Sequence, residues 1–229
     1  MKLLVIDTST EWCSAALWLD GRIQARRVLA GQRHSSLLLP MVDELLRESG
    51  LALRQFDGIG YGAGPGSFTG LRIACAVTQG LAFGADLPVA GVSTLESIAA
   101  QTGADSVLTV LDARMAEVYW AAYQRDGAGW RAVTAPQLAL PGSVAVPAGG
   151  DWVGAGNGFV ALGEVLRPRL AARLMRIDDT LMPDAAAMAP LAARAFERGE
   201  GMDAALAAPL YLRDKVALTV DERRARHPA

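Results

Sequence analysis

Gly62 to Gly84 reads GAGPGSFTGLRIACAVTQGLAFG, and the rest of the chain is organised around it. Gly62, Gly64, Pro65, Gly66 and Gly70 crowd its first nine residues, and no charge follows Arg72. The preceding Phe56–Tyr61 alternates like a strand, so the order is strand, glycine loop, helix. Glycines at such a junction permit positive φ and close backbone approach. Ser67 or Thr69 can cap the helix, whose free N–H groups offer an anion site. The helix is small and apolar on most sides. Ala76, Gly80 and Gly84 lie four apart, a spacing that lets another helix come close. This predicts one side packed on its own sheet and another open to a partner.

The chain has 229 residues, 52% of them hydrophobic, with a formal net charge of −2. That length suits one large or two small domains. The near-balanced charge gives no overall basic field for nucleic acid. Cys13 and Cys75 sit in apolar surroundings without CxxC spacing, which predicts buried structural thiols. No uninterrupted run reaches a membrane span, and Asp7 follows the apolar start too soon for a signal peptide. A cytoplasmic globular protein is expected.

Taken in order, Leu3–Ile6 is a strand buried on both faces, ending at Asp7-Thr8-Ser9-Thr10. Cys13–Leu19 and Arg22–Leu29 make a hairpin about Asp20-Gly21. An amphipathic helix is expected from Ser35 to Glu48, with stripe Leu38, Val42, Leu45 and Leu46. Ser35 or Ser36 would cap it, Pro40 requires the first turn, and Gly50 ends it. Pro88–Val92 is a strand and Ser93–Gln101 a helix opened by a Ser93/Glu96 capping box. Further strands are expected at Val107–Leu111, Glu117–Gln124, Trp130–Leu138, Trp152–Ala155 and Leu174–Ile177. An alanine-rich helix spans Asp184–Arg198, and a frayed tail covers Asp221–Ala229.

Chemistry is sparse. Asp7 at a strand end could organise magnesium or water in a nucleotide enzyme, or merely cap its turn. The glycine loop lacks the Gly-Lys-Ser/Thr of a P-loop and the acid of a dinucleotide fingerprint, which favours packing over phosphate binding. His34 and His227 are the only histidines, too few for a clustered metal site. Gly64-Pro65-Gly66-Ser67-Phe68 lacks the closing glycine of a nucleophile elbow. Asp112-Ala113-Arg114 with Glu117 sets charges at the end of a core strand, for an ion pair or for ligand contact.

Several segments together resemble the TsaB (YeaZ) family of bacterial threonylcarbamoyladenosine biosynthesis subunits. They are Ile6-Asp7-Thr8-Ser9-Thr10, His34-Ser35 with Leu37-Leu38-Leu39-Pro40, Gly64-Pro65-Gly66-Ser67-Phe68-Thr69-Gly70-Leu71-Arg72, Gly91-Val92-Ser93-Thr94-Leu95-Glu96, Asp112-Ala113-Arg114-Met115 with Glu117-Val118-Tyr119, and Tyr211-Leu212-Arg213. The resemblance implies an α/β fold of two actin-like (ribonuclease H-like) subdomains. Each would be a mixed five-stranded sheet with flanking helices, the second reduced, divided as 1–103 and 104–229. The catalytic relative, TsaD, carries a His-x-x-x-His metal pair where this chain has Thr94 and Ile98. That implies no catalytic residue and no metal ligand here.

The same resemblance implies a scaffold subunit that pairs with TsaD and acts with the ATPase TsaE. The assembly transfers a threonylcarbamoyl group from its adenylate to the tRNA adenosine beside the anticodon, and tRNA is met only through the complex. The pairing surface is expected on the first two helices, at Leu38, Val42, Leu45, Leu46, Gly70, Ile73, Ala74, Val77, Thr78 and Leu81. The same surface would form a homodimer in isolation. No cofactor is expected to be tightly bound, and Asp7, Thr8 and Ser9 are the candidates if a nucleotide is held. The alternative is a phosphotransferase-like or protease-like enzyme in its own right.

Overall fold

The computed structural model describes residues 1–213. The expectations for Asp221–Ala229 and His227 lie outside the described residues. Two five-stranded sheets form. The first contains β1 (Lys2–Asp7), β2 (Trp12–Leu19), β3 (Arg22–Leu29), β4 (Gly58–Gly64) and β5 (Val89–Ser93), in the order β3-β2-β1-β4-β5. The second contains β6 (Ser106–Asp112), β7 (Val118–Asp126), β8 (Gly129–Ala139), β9 (Trp152–Ala155) and β10 (Leu174–Asp178), in the order β10-β9-β6-β7-β8. In each, an antiparallel three-strand meander precedes two strands added in parallel on the far side of its first strand. The two sheets therefore repeat one topology, which fixes a mixed, actin-like α/β fold.

The helices are α1 (His34–Ser49), α2 (Phe68–Ala85), α3 (Thr94–Gln101), α4 (Gly158–Ala161), α5 (Gly163–Leu170) and α6 (Ala185–Glu197). Helix α1 joins the meander to β4 in the first half. The matching stretch of the second half, between β8 and β9, holds only a single 3₁₀ turn at Pro141–Ser143. This is where the second subdomain is reduced.

Period-2 burial of β1 separates two cores. Leu4 and Ile6 join Leu38, Val42 and Leu45 of α1 and Cys75 and Ala82 of α2. Leu3 and Val5 face Ala185, Met188, Ala189 and Ala192 of α6. On the second sheet, Leu95, Ile98 and Ala99 of α3 cover one face and Phe159, Leu166 and Leu170 cover the other. Helix α3, which follows the first sheet in sequence, thus packs on the second, and α6, which follows the second, packs on the first. The division at 103/104 does not describe this packing. Met202 returns to bridge Val89 at the open edge of β5, so the late chain is again part of the first lobe.

The close approach of α6 has a sequence cause. Along β4 the residues facing α6 are glycines: a Cβ on Gly58 would lie 2.4 Å from Phe196 Cζ, and one on Gly60 would lie 2.8 Å from Ala192 Cβ. A row of glycines against an alanine-rich helix brings the backbones together, which larger residues would prevent.

Local expectations for α1 need correction. The helix starts at His34, one residue early, and Arg33 at the N-cap supplies no side-chain bond. Ser36 Oγ instead donates to the Arg33 carbonyl at 2.9 Å, so the serines lie inside the first turn rather than capping it. Pro40 sits beyond that turn, where it removes one backbone bond. Gly50 ends the helix in the left-handed conformation at φ 69°. Ser67 and Ser93 cap α2 and α3, accepting from the amides of Gly70 and Glu96.

Candidate functional site

A cavity of about 730 Å³ opens between the lobes, at the carboxyl ends of β1, β4 and β6. Ser9, His34, Ser67, Asp112 and Arg114 are among its lining residues. Of the nucleotide candidates Asp7, Thr8 and Ser9, it reaches only Ser9. Asp7 is fully buried on the α6 side of β1. Its carboxylate accepts from Ser9 Oγ at 3.0 Å and from the Ser9 amide at 3.3 Å. Burial pushes its pKa up from 3.8 to about 7, a rise only partly offset by the Ser9 bonds. Thr8 Oγ1 donates to the Gly70 carbonyl at 2.6 Å. These polar groups are spent on holding the chain together.

The glycine loop is spent in the same way. The Ser67 amide donates to the Ser9 carbonyl at 2.7 Å. A Cβ on Gly66 would meet that same oxygen at 2.4 Å, and one on Gly70 would meet the Thr8 carbonyl oxygen at 1.9 Å. The loop lies flat on the β1–β2 turn because it has no side chains there, and close packing is the reason for these glycines.

Neither arginine on the second-lobe wall is free. Arg114 pairs with Asp112 at 3.0 Å, and Arg213 pairs with Glu117 at 2.6 Å. The wall between them holds three consecutive left-handed residues, Arg114, Met115 and Ala116, at φ 62°, 56° and 60°. Each such non-glycine residue costs about 1–2 kcal/mol. The surrounding bonds fix the turn: Ala113 to Glu117, Glu117 to Arg114, and the Arg114 amide to Asp112 Oδ1 at 2.8 Å.

Among the described residues no nucleophile and base are joined in the cleft. Ser67 Oγ accepts from the Gly70 amide, and His34 Nε2 is bonded to the Thr10 carbonyl at 2.8 Å. Among the described residues no group of three or more His, Cys, Asp or Glu could hold a metal. Thr94 and Ile98 are both fully buried, with Thr94 Oγ1 donating to the Pro65 carbonyl.

The helix surface expected to meet a partner divides in two. Leu38, Val42, Leu45, Gly70, Ala74 and Thr78 are buried in the chain's own core and present nothing to solvent. Their apolar periodicity reports the sheet-facing side, so in the folded chain these six lie in its own core and not on an outer contact surface. Leu46, Ile73, Val77 and Leu81 are half-buried on the flank of that core. The outward stripe is Ala76, Gly80, Phe83 and Gly84, with Phe83 64% exposed. A Cβ on Gly80 or Gly84 would meet nothing within 4 Å. Phe83 is not among the residues expected at the pairing surface, yet the four-residue spacing of Ala76, Gly80 and Gly84 marks the face on which it lies. Among the described residues no helix is long and apolar enough to cross a membrane.

These features define a two-lobed actin-like α/β protein in which the cleft groups Ser9, His34, Ser67, Asp112, Arg114 and Arg213 are bonded within the chain and in which, among the described residues, the second helix carries an uncovered small-residue face. The family model for TsaD, tRNA N6-adenosine threonylcarbamoyltransferase, matches residues 28–219. The tRNA threonylcarbamoyladenosine biosynthesis protein TsaB of Escherichia coli is 41% identical over 95% of this chain and 96% of its own length. The protein of that name from Haemophilus influenzae is 35% identical over 94% and 95%. Among solved structures, YeaZ from Pseudomonas aeruginosa superposes with a TM-score of 0.83 at 41% identity, covering 92% of this chain and 99% of that one. The chain belongs to the TsaB (YeaZ) family.

Proposed function

We propose that this chain is the non-catalytic scaffold subunit of a bacterial complex making threonylcarbamoyladenosine in tRNA. In this reading it docks on TsaD and acts with TsaE. The complex moves a threonylcarbamoyl group from threonylcarbamoyl-AMP to N6 of the adenosine beside the anticodon. The observation that carries the reading is the uncovered stripe of α2, where small residues leave room for a second helix. The burial of Thr94 and Ile98 supports a non-catalytic role, because neither side chain is available to a metal. With a net charge of −2, the chain has no overall basic field to draw tRNA to itself, which fits tRNA being met through the complex. Alone, the same stripe can be covered by a second copy of the chain, which makes the free protein a homodimer. Its site of action is the cytoplasm, where tRNA is modified.

The test is reconstitution. With TsaD, TsaE, threonylcarbamoyl-AMP and tRNA, transfer should depend on adding this chain, and light scattering should show its dimer replaced by a one-to-one complex with TsaD. Transfer at full rate without it would overturn the reading. The cavity favours one second reading, a module that binds nucleotide in the cleft. ATP hydrolysis by the purified chain with magnesium would support that alternative.

A further inference from the structure

Among the described residues the chain passes between its lobes at three places: from β5 through α3 to β6, from β10 to α6, and along Ala207–Arg213. The last passage runs across the cavity, and Leu210 to Arg213 line it. Its near end is tied firmly to the first lobe. Cys75 Sγ and Gln79 Nε2 donate to the Ala207 carbonyl at 3.2 and 3.3 Å. The Ala208 amide donates to Tyr61 Oη at 3.0 Å, and the Leu210 amide donates to the Ala63 carbonyl at 2.7 Å. Arg72 Nε donates to Tyr211 Oη at 2.8 Å, and the Phe68 and Tyr211 rings lie 5.5 Å apart.

Among the described residues, the far end is held by two side chains. Leu212 packs against the second core. Arg213 donates to the Ala113 carbonyl at 3.0 Å and pairs with Glu117 at 2.6 Å, gripping both ends of the left-handed turn. Its side chain is 14% exposed, so the pair is partly withdrawn from water and shaped for one geometry.

We propose that Leu212 and Arg213 form a latch that fastens this strap to the 113–117 turn and sets the width of the inter-lobe cleft. The asymmetry of the anchoring decides how it opens. The near end has backbone bonds to β4 and side-chain bonds to α2, whereas among the described residues the far end rests on the Arg213 guanidinium and Leu212. The far end releases first, the turn loses its clamp, and the lobes open about the two remaining passages, beside which Ser93 Oγ and Tyr123 Oη stay 3.1 Å apart and Trp130 of β8 stays packed on the α6 core. The latch needs no partner, since every group in it belongs to this chain.

The test uses the full chain carrying Arg213→Ala and, separately, Glu117→Gln, which weakens the same pair from the other side. Spin labels placed at the exposed positions Glu44 on α1 and Glu164 on α5 report the inter-lobe distance. Hydrogen exchange reports the amides of Ala113, Glu117, Ala208 and Leu210. Both variants should lengthen or broaden the inter-lobe distance. Exchange at Ala113 and Glu117 should rise about tenfold or more, while Ala208 and Leu210 stay near the parent rate. A distance distribution superimposable on the parent's in both variants overturns the latch, even if the turn exchanges faster. Equal acceleration at all four amides also overturns it, because the strap then leaves as a whole.

Discussion

A Cβ on Gly62 would stand 2.0 Å from Oδ1 of Asp7, so the buried carboxylate occupies the space of the missing side chain. The two positions face each other on neighbouring strands, and Met188 of α6 closes the site from above, 3.3 Å from the same point. Gly62→Ala must therefore displace a buried carboxylate that is held by two bonds from Ser9. Overpacking of this kind costs about 1–3 kcal/mol or more. The expected loss lies at the upper end of that range, read from the chemical denaturation midpoint. An unchanged midpoint would mean that Asp7 has another place to go.

Asp7 also makes stability depend on pH. Its folded pKa of about 7 lies above the ordinary 3.8, chiefly because burial penalises the charge. Between those values the native state keeps a proton that the unfolded chain has released. Stability therefore falls as pH rises from about 4 to about 7, and the full penalty is present above that. Asp7→Asn retains an acceptor for the Ser9 amide without the charge. It should be more stable than the parent at about pH 8 by a few kcal/mol, with the gap closing toward about pH 4. Denaturation curves at both ends decide it. A gap of equal size at both would show that the carboxylate is not the origin.

Charge placed on the two sides of α2 should have opposite consequences. Ala74 is fully buried beneath the helix and Ala76 is exposed on top of it. Ala74→Arg, like Leu45→Arg on α1, puts an unpaired cation into the core and should leave no cooperative unfolding transition. Ala76→Arg should keep the parent's circular dichroism and midpoint while weakening association with TsaD by about a hundredfold or more. If Ala76→Arg still co-purifies with TsaD, the docking face lies elsewhere.

How far the sequence was legible follows from these same residues. The strand–loop–helix at Gly62–Gly84 could be read because glycine and the Ser67 cap act locally, within a few residues of the structure they make. The first α1 turn could not, because His34 is drawn inward by the Thr10 carbonyl, 24 positions away. The seat of α6 on the first sheet is a long-range fact. Its one local trace was the alternation of Gly58, Gly60 and Gly62, which signals that another backbone comes near without naming which. The inward and outward sides of α2 are hard to separate because both are small and apolar, whereas α1 turns Asp43, Glu44, Arg47 and Glu48 outward; periodicity shows that a face is buried without telling core from partner. The left-handed run at Arg114–Ala116 left no signal, since none of those residue types favours that conformation.

Gly80 gives the sharpest test of the docking reading, because it separates folding from association. A glycine in a helix interior costs about 1 kcal/mol relative to alanine. Nothing among the described residues requires that cost: a Cβ at position 80 would meet no atom of theirs within 4 Å, and the residue lies within the regular span of α2. Gly80→Ala should therefore stabilise the isolated chain by about 0.5–1 kcal/mol. If a partner helix rests on the stripe of Ala76, Gly80 and Gly84, the added methyl holds the two backbones apart. The variant should then bind TsaD about tenfold more weakly while melting at a higher temperature, and Gly80→Leu should strengthen the loss. Differential scanning calorimetry and a binding titration on the same preparations read both effects. A variant both more stable and bound as tightly as the parent would show that no helix approaches at Gly80.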